Sequence, residues 1–150
     1  MKKQQSGFTL IELIMVIVVL GILAAFAIPK FANLGGDARL AVMQGALASV
    51  KSAAAIVHSS ALAKNDPALA EVELSDGTEV ELVNLYPAAT AAGIFAAAGL
   101  AEPDFKAVDG TDVVTIQSGA KATCSFTYTL ADADKAPKID ATNLTEANCN

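Results

Sequence analysis

Glu12 is the residue whose placement asks for a chemical reason. It stands in "SGFTLIELIMVIVVLGILAAFAIPK", residues 6–30, as the one acid in a run that is otherwise apolar from Phe8 to Ile28. Those residues would span about 31 Å as a helix, enough to cross a bilayer core of about 30 Å. A carboxylate at the centre of such a helix costs about 2.5–3.5 kcal/mol, less near an end, and marks a functional site by default. Other reactive side chains are few. Cys124 and Cys149 lie in the last 27 residues, and two cysteines allow one intramolecular pairing. Behind a membrane segment they would reach an oxidising compartment, where a bond closing a loop of about 26 residues adds roughly 3 kcal/mol; two free buried thiols are the alternative. His58, the only histidine, follows the polar line Asp37, Gln44, Lys51 and reads as a partly exposed helix residue rather than a ligand. Serine or cysteine nucleophile chemistry would have to recruit it without supporting context. The acid pairs Asp109/Asp112 and Asp132/Asp134 lack the D-x-D-x-D-G pattern with a closing Glu that calcium loops use, and read as solvated loop acids. There is no P-loop, dinucleotide fingerprint or H-E-x-x-H. Asn143-Leu144-Thr145 fits a glycosylation acceptor only as short motifs often do by chance. The expectation is a chain with no catalytic residues, no metal and no cofactor, and hence not an enzyme.

The 150 residues allow one domain plus an extra element, and the 53% hydrophobic content with mean hydropathy +0.46 is high for a soluble domain. The excess sits in the first third. From residue 60 onward five lysines face fourteen acids, a net of −9. That balance gives no footprint for nucleic acid and suits an exposed, soluble head.

Three readings compete for the N-terminus. A secretory signal would use Ala25-Phe26-Ala27 as its cleavage site, but the apolar run exceeds the usual 7–15 residues and contains Glu12. A plain membrane anchor tolerates Glu12 without explaining it. The third reading does explain it: "KKQQSGFTLIELIMVIVVLGILAAFAIPKF" resembles the N-terminus of type IV prepilins and the related secretion pseudopilins. The basic leader ending in Gly7, Phe8, a Glu at the fifth position from Phe8, the unbroken apolar stretch and Pro29 carry the resemblance.

The resemblance implies a leader, residues 1–7, cut after Gly7 by a prepilin peptidase that also N-methylates Phe8. Residues 8–36 would be the hydrophobic helix, in the inner membrane before assembly and in the filament core afterwards. Residues 37–150 would be the globular head. Glu12 would pair with the Phe8 amine of a neighbour, setting register as each copy joins a helical homo-oligomer, with an assembly platform and motor ATPase acting indirectly. Between Gly21 and Pro29 the helix would loosen on assembly, since Pro29 cannot donate to Ala25 and Gly21 is a weak point. The Cys124–Cys149 segment would form much of the exposed surface. The stretch "PKFANLGGDARLAVMQGALASVKSAAAIVHSSA" is further similar to the mannose-sensitive haemagglutinin (MSHA) pilin branch. The implied function is the major subunit of a surface pilus used in attachment; a type II secretion pseudopilin or a minor, priming pilin is the alternative.

The rest of the chain follows from patterning. Leu40, Met43, Leu47, Val50, Ala54, Val57 and Ala61 fall at steps of 3 and 4, a helical stripe facing the chain's own head. The other faces are small or apolar, and Gly35-Gly36 reads as a soft point. "EVELSDGTEVELV" predicts a hairpin with a Ser75-Asp76-Gly77 loop, Val72 opposite Val80 and Gly77 left-handed. Pro87 is expected to open an Ala-rich helix ended by Gly99. Residues 112–117 and 121–130 predict a second hairpin, followed by a short strand near 138–140. The expected fold is α+β: a long N-terminal helix packed on an antiparallel sheet, the type IV pilin arrangement.

Overall fold

The computed structural model describes residues 7–31, 34–130, 132–133 and 135–150. Apart from Gly7, the expected leader lies outside the described residues, as does Asp134 of the second acid pair. The chain divides into two compact units, Met1–Gly35 and Gly36–Asn150.

In the first unit, α1 (Leu10–Phe31) is apolar on every face, and its residues from Leu10 to Phe26 are all exposed. Among the described residues none buries a side chain of that stretch. The second unit is built on α2 (Leu34–Lys64), which buries Met43, Ala46, Val50, Ala53, Ala54, Val57 and Ala61. Apart from the adjacent Ala53 and Ala54, these positions recur every three or four residues, so they share one face. Asp37 in its first turn and Lys64 in its last complement the helix dipole. The helix stops at Asn65, which takes a left-handed φ of 53° two residues before Pro67.

The strands pair antiparallel throughout, as the expected α+β fold requires, and form two sheets. β1 (Glu71–Glu73), β2 (Glu79–Val83) and β3 (Tyr86–Pro87) lie in the order β1-β2-β3. β4 (Phe105–Asp109), β5 (Val113–Ser118), β6 (Lys121–Thr129) and β7 (Lys138–Asp140) lie in the order β4-β5-β6-β7. The first hairpin has the predicted register, Val72 opposite Val80, with Leu74 and Thr78 closing the loop and Gly77 at φ 85°. That register sends Val72, Val80 and Leu82 inward to meet Val57 and Ala61. The larger core sets Met43, Ala46 and Val50 against Ile94, Val114, Ile116, Phe126, Tyr128 and both cysteines. Burying each large side chain of this set stabilises the head by roughly 1.5–3 kcal/mol. Tyr128 bridges the sheets, its hydroxyl donating to the Pro87 carbonyl at 2.8 Å.

One expectation is corrected. Pro87 does not open a helix: it is buried in β3 opposite Leu82, on the edge of the sheet where its missing N–H is tolerated. The helical turn starts later, at Ala91–Phe95, with Thr90 as its cap accepting from Gly93 N at 3.0 Å, and it has π-type pairing. Gly93 lies too close to the Ala88 carbonyl to carry a Cβ. Gly99 does end this region, at φ 65°. Gly35 and Gly36, read as a soft point, lie within α2 at the boundary between the two units, and Gly36 is buried.

Candidate functional site

Local hydrogen bonding sets the geometry at the head of α1. Thr9 accepts the first helical bond, from Leu13 N at 3.2 Å. Its hydroxyl accepts from Glu12 N at 3.3 Å and donates to Glu12 Oε2 at 2.8 Å. Glu12 Oε2 also accepts from Thr9 N at 2.8 Å. This is a capping box, the reciprocal pair in which a Thr at the N-cap and a Glu three residues later satisfy each other's backbone N–H. The Glu12 carboxylate therefore has a partner within its own chain and is held at the N-terminal end of the helix, one residue beyond Phe8. The sequence signal for it is "TLIE", which fits the [S/T]-x-x-E pattern.

Gly7 and Phe8 are exposed, Phe8 at 88%. Among the described residues a Cβ at Gly7 would meet nothing within 4 Å, so no contact there asks for glycine. The same holds at Gly21, which lies with Pro29 inside α1.

Cys124, in β6, and Cys149, in the short helix α3 (Glu146–Cys149), are disulfide-bonded and fully buried. His58 is half-buried. Its Nδ1 lies 3.0 Å from the Leu85 carbonyl and its ring stacks on Tyr86, centroids 3.8 Å apart. It holds a tight turn in which Asn84 and Leu85 both take left-handed φ, 53° and 63°. Such a turn matches the twist of a two-residue hairpin, and Leu85 is retained there by packing beside Val80 and Leu82. Asp109 and Asp112 flank the β4–β5 turn, and both are exposed. Among the described residues no group of three or more His, Cys, Asp or Glu side chains is placed to hold a metal.

The chain therefore couples an uncovered apolar helix to a capped N-terminus bearing an open Gly7–Phe8 bond. Residues 2–28 match the prokaryotic N-terminal methylation motif. Beyond that motif, the chain is 38% identical over 100 residues to the type IV major fimbrial protein FimA of Dichelobacter nodosus, covering 63% of this chain and 60% of that one. It is 51% identical over 51 residues to the type IV narrow pilus major component PilA5 of Thermus thermophilus, 34% of this chain and 44% of that one. It is also 42% identical over 52 residues to the type II secretion system core protein G of Pseudomonas aeruginosa, 35% of this chain and 37% of that one. The chain thus spans between 37% and 60% of the length of these curated relatives. No solved structure matches it.

Proposed function

We propose that this chain is a type IV pilin: a structural subunit, not an enzyme, that waits in the inner membrane on α1 and is then packed into a surface filament. The observation that carries this is α1 itself, a 22-residue apolar helix whose residues Leu10 to Phe26 are all exposed among the described residues, headed by a methylation motif. The helix has two ways to leave water, lipid before assembly and copies of itself after it. Pilus-subunit names among the relatives support the filament, and the FimA similarity extends well past the motif.

In this reading a prepilin peptidase cuts after Gly7, leaving residues 8–36 as the assembly helix and 37–150 as the head. Open space around Gly7 supports that cut, because the glycine is then read by the peptidase rather than by the fold. Cleavage puts an ammonium on Phe8 at the positive end of the α1 dipole, where a cation is disfavoured. Methylation leaves that nitrogen basic. A carboxylate close by offsets the cost, and in an apolar surrounding the pair fixes register more than it stabilises. Glu12 keeps Thr9 on Oε2 and offers its other oxygen to the Phe8 ammonium of a neighbour. Gly21 and Pro29 are the places where α1 gives way when copies pack. The Pro29-Lys30-Phe31 and Asp37-Ala38-Arg39 series supports the MSHA branch and, with it, attachment as the pilus's use.

A second reading, a type II secretion pseudopilin, is favoured by the similarity to core protein G. The Cys124–Cys149 disulfide supports the pilin instead, since the pseudopilin resemblance implies a calcium loop in that region and no cysteine pair.

Glu12→Gln tests the docking charge. The variant should still be cleaved and remain in the membrane fraction, because glutamine also serves a capping box. It should disappear from the material sheared off cells. A Glu12→Gln chain that enters sheared filaments at the normal level would remove the docking role.

A further inference from the structure

Residues 145–150 are tied to two different elements. On one side Cys149 is bonded to Cys124 of β6, and Thr123 Oγ1 donates to the Asn148 carbonyl at 2.6 Å. On the other side Arg39 Nη1 donates to the Cys149 carbonyl, and Gly36 is buried beneath Asn150, whose side chain and Cα occupy the space a Cβ at Gly36 would need. α3 is four residues long and capped by Thr145, too short to hold a position without such ties. Upstream of Met43 the first turns of α2 bury only Gly36 outright, while Val42 is exposed. The division between the two units falls at Gly35/Gly36.

We propose that segment 145–150 is a redox-set clamp: the disulfide holds it on β6, and through Cys149 and Asn150 it fixes the first turns of α2, where the head begins. The inference rests on contacts inside the head and does not depend on filament assembly. A dithiol reductant opens the clamp. It supplies two electrons and two protons, the S–S bond becomes two thiols, and the dithiol closes into its own cyclic disulfide. Cys149 then no longer presents its carbonyl to Arg39, and Asn150 no longer covers Gly36. A newly exported chain whose thiols have not been oxidised would carry the same loose start to α2.

Hydrogen exchange on the full chain in detergent micelles, followed by mass spectrometry, tests this. The amides to follow are 38–43, because the first four N–H groups of α2 lack helical partners. Dithiothreitol should speed exchange of 38–43 by about tenfold along with 145–150, leaving 53–61 as before. In the oxidised protein, Arg39→Gln should speed 38–43 several-fold with the disulfide intact; in the reduced protein it should add nothing further. Opening of 145–150 with 38–43 still protected would overturn the clamp. Should reduction loosen the whole head, the oxidised Arg39→Gln variant decides: unchanged exchange at 38–43 also overturns it.

Discussion

α1 and α2 follow one another in the chain, and each is long and apolar enough to cross a membrane. Their surroundings differ completely. A third of the most apolar stretch of α2 is buried inside its own unit, and none of that of α1 is. The cause is in the sequence. α2 interleaves one apolar stripe with Gln44, Lys51 and Ser52, so a sheet can close one side and water the other. α1 has no polar side chain between Glu12 and Lys30, so covering one face would leave the rest exposed. A helix apolar all round needs a surrounding medium or several neighbours, whereas a striped one needs a single partner. The second unit thus has a core of its own, whereas among the described residues α1 has none from Leu10 to Phe26.

Removing α1 gives the largest predicted effect. A chain begun at Gly36 should be monomeric in water by light scattering, while the full chain should need detergent. If the shortened chain still associates, the exposed Val42, Ile56 and Leu62 on α2 also form a self-association face.

The comparison sharpens with one truncation in each region. Phe126→Ala, in the centre of the head, should cost about 3–5 kcal/mol in chemical denaturation. Ile17→Ala, on exposed α1, should change the same unfolding by less than about 0.5 kcal/mol. Equal effects would mean that α1 is packed on the head after all.

Smaller effects test the head's internal ties through pH. Burial, with Tyr86 nearby, pushes the Tyr128 phenol above the ordinary tyrosine value. Its contribution is fully present below about pH 10 and is lost above it, because the unfolded phenol ionises while the buried one stays neutral. Tyr128→Phe should flatten that alkaline loss and cost about 1–3 kcal/mol at neutral pH, where the Pro87 carbonyl loses its donor. The smallest effect lies on the acid side. The backbone N–H of Thr78 on Asp76 and that of Thr142 on Asp140 hold both carboxyls below the usual aspartate value. Folded values below unfolded ones stabilise above about pH 4, and this is lost as pH falls through the folded values. Asp140→Ala should therefore make the denaturation midpoint less sensitive to acid than it is in the parent.

Much of this was legible in the sequence because it rests on local pattern. The α2 stripe, the Val72–Val80 register, left-handed Gly77 and the β5–β6 hairpin all follow from periodicity and turn chemistry. What was not legible depends on partners distant in the chain. β4 has no clear signal of its own, because "FKAVD" breaks the alternation at Ala107-Val108 and its partner β5 decides that it pairs at all. Pro87 has the local context of a helix opener, and only its pairing with Leu82 makes it a strand residue. Arg39 and Gly36 gave no signal of their ties, since their partners come more than a hundred residues later. Within the site, the Glu12 charge was readable from its surroundings, and its bond to Thr9 was readable only from a three-residue spacing.

The most direct test of the account is the intact mass and first residue of the native protein sheared from cells. The account predicts a chain that begins at Phe8, carries one added methyl and is two hydrogens light for the Cys124–Cys149 bond. A soluble chain beginning at Ile28, after the Ala25-Phe26-Ala27 site, would contradict it, because Glu12 and α1 would have been discarded before any filament could form.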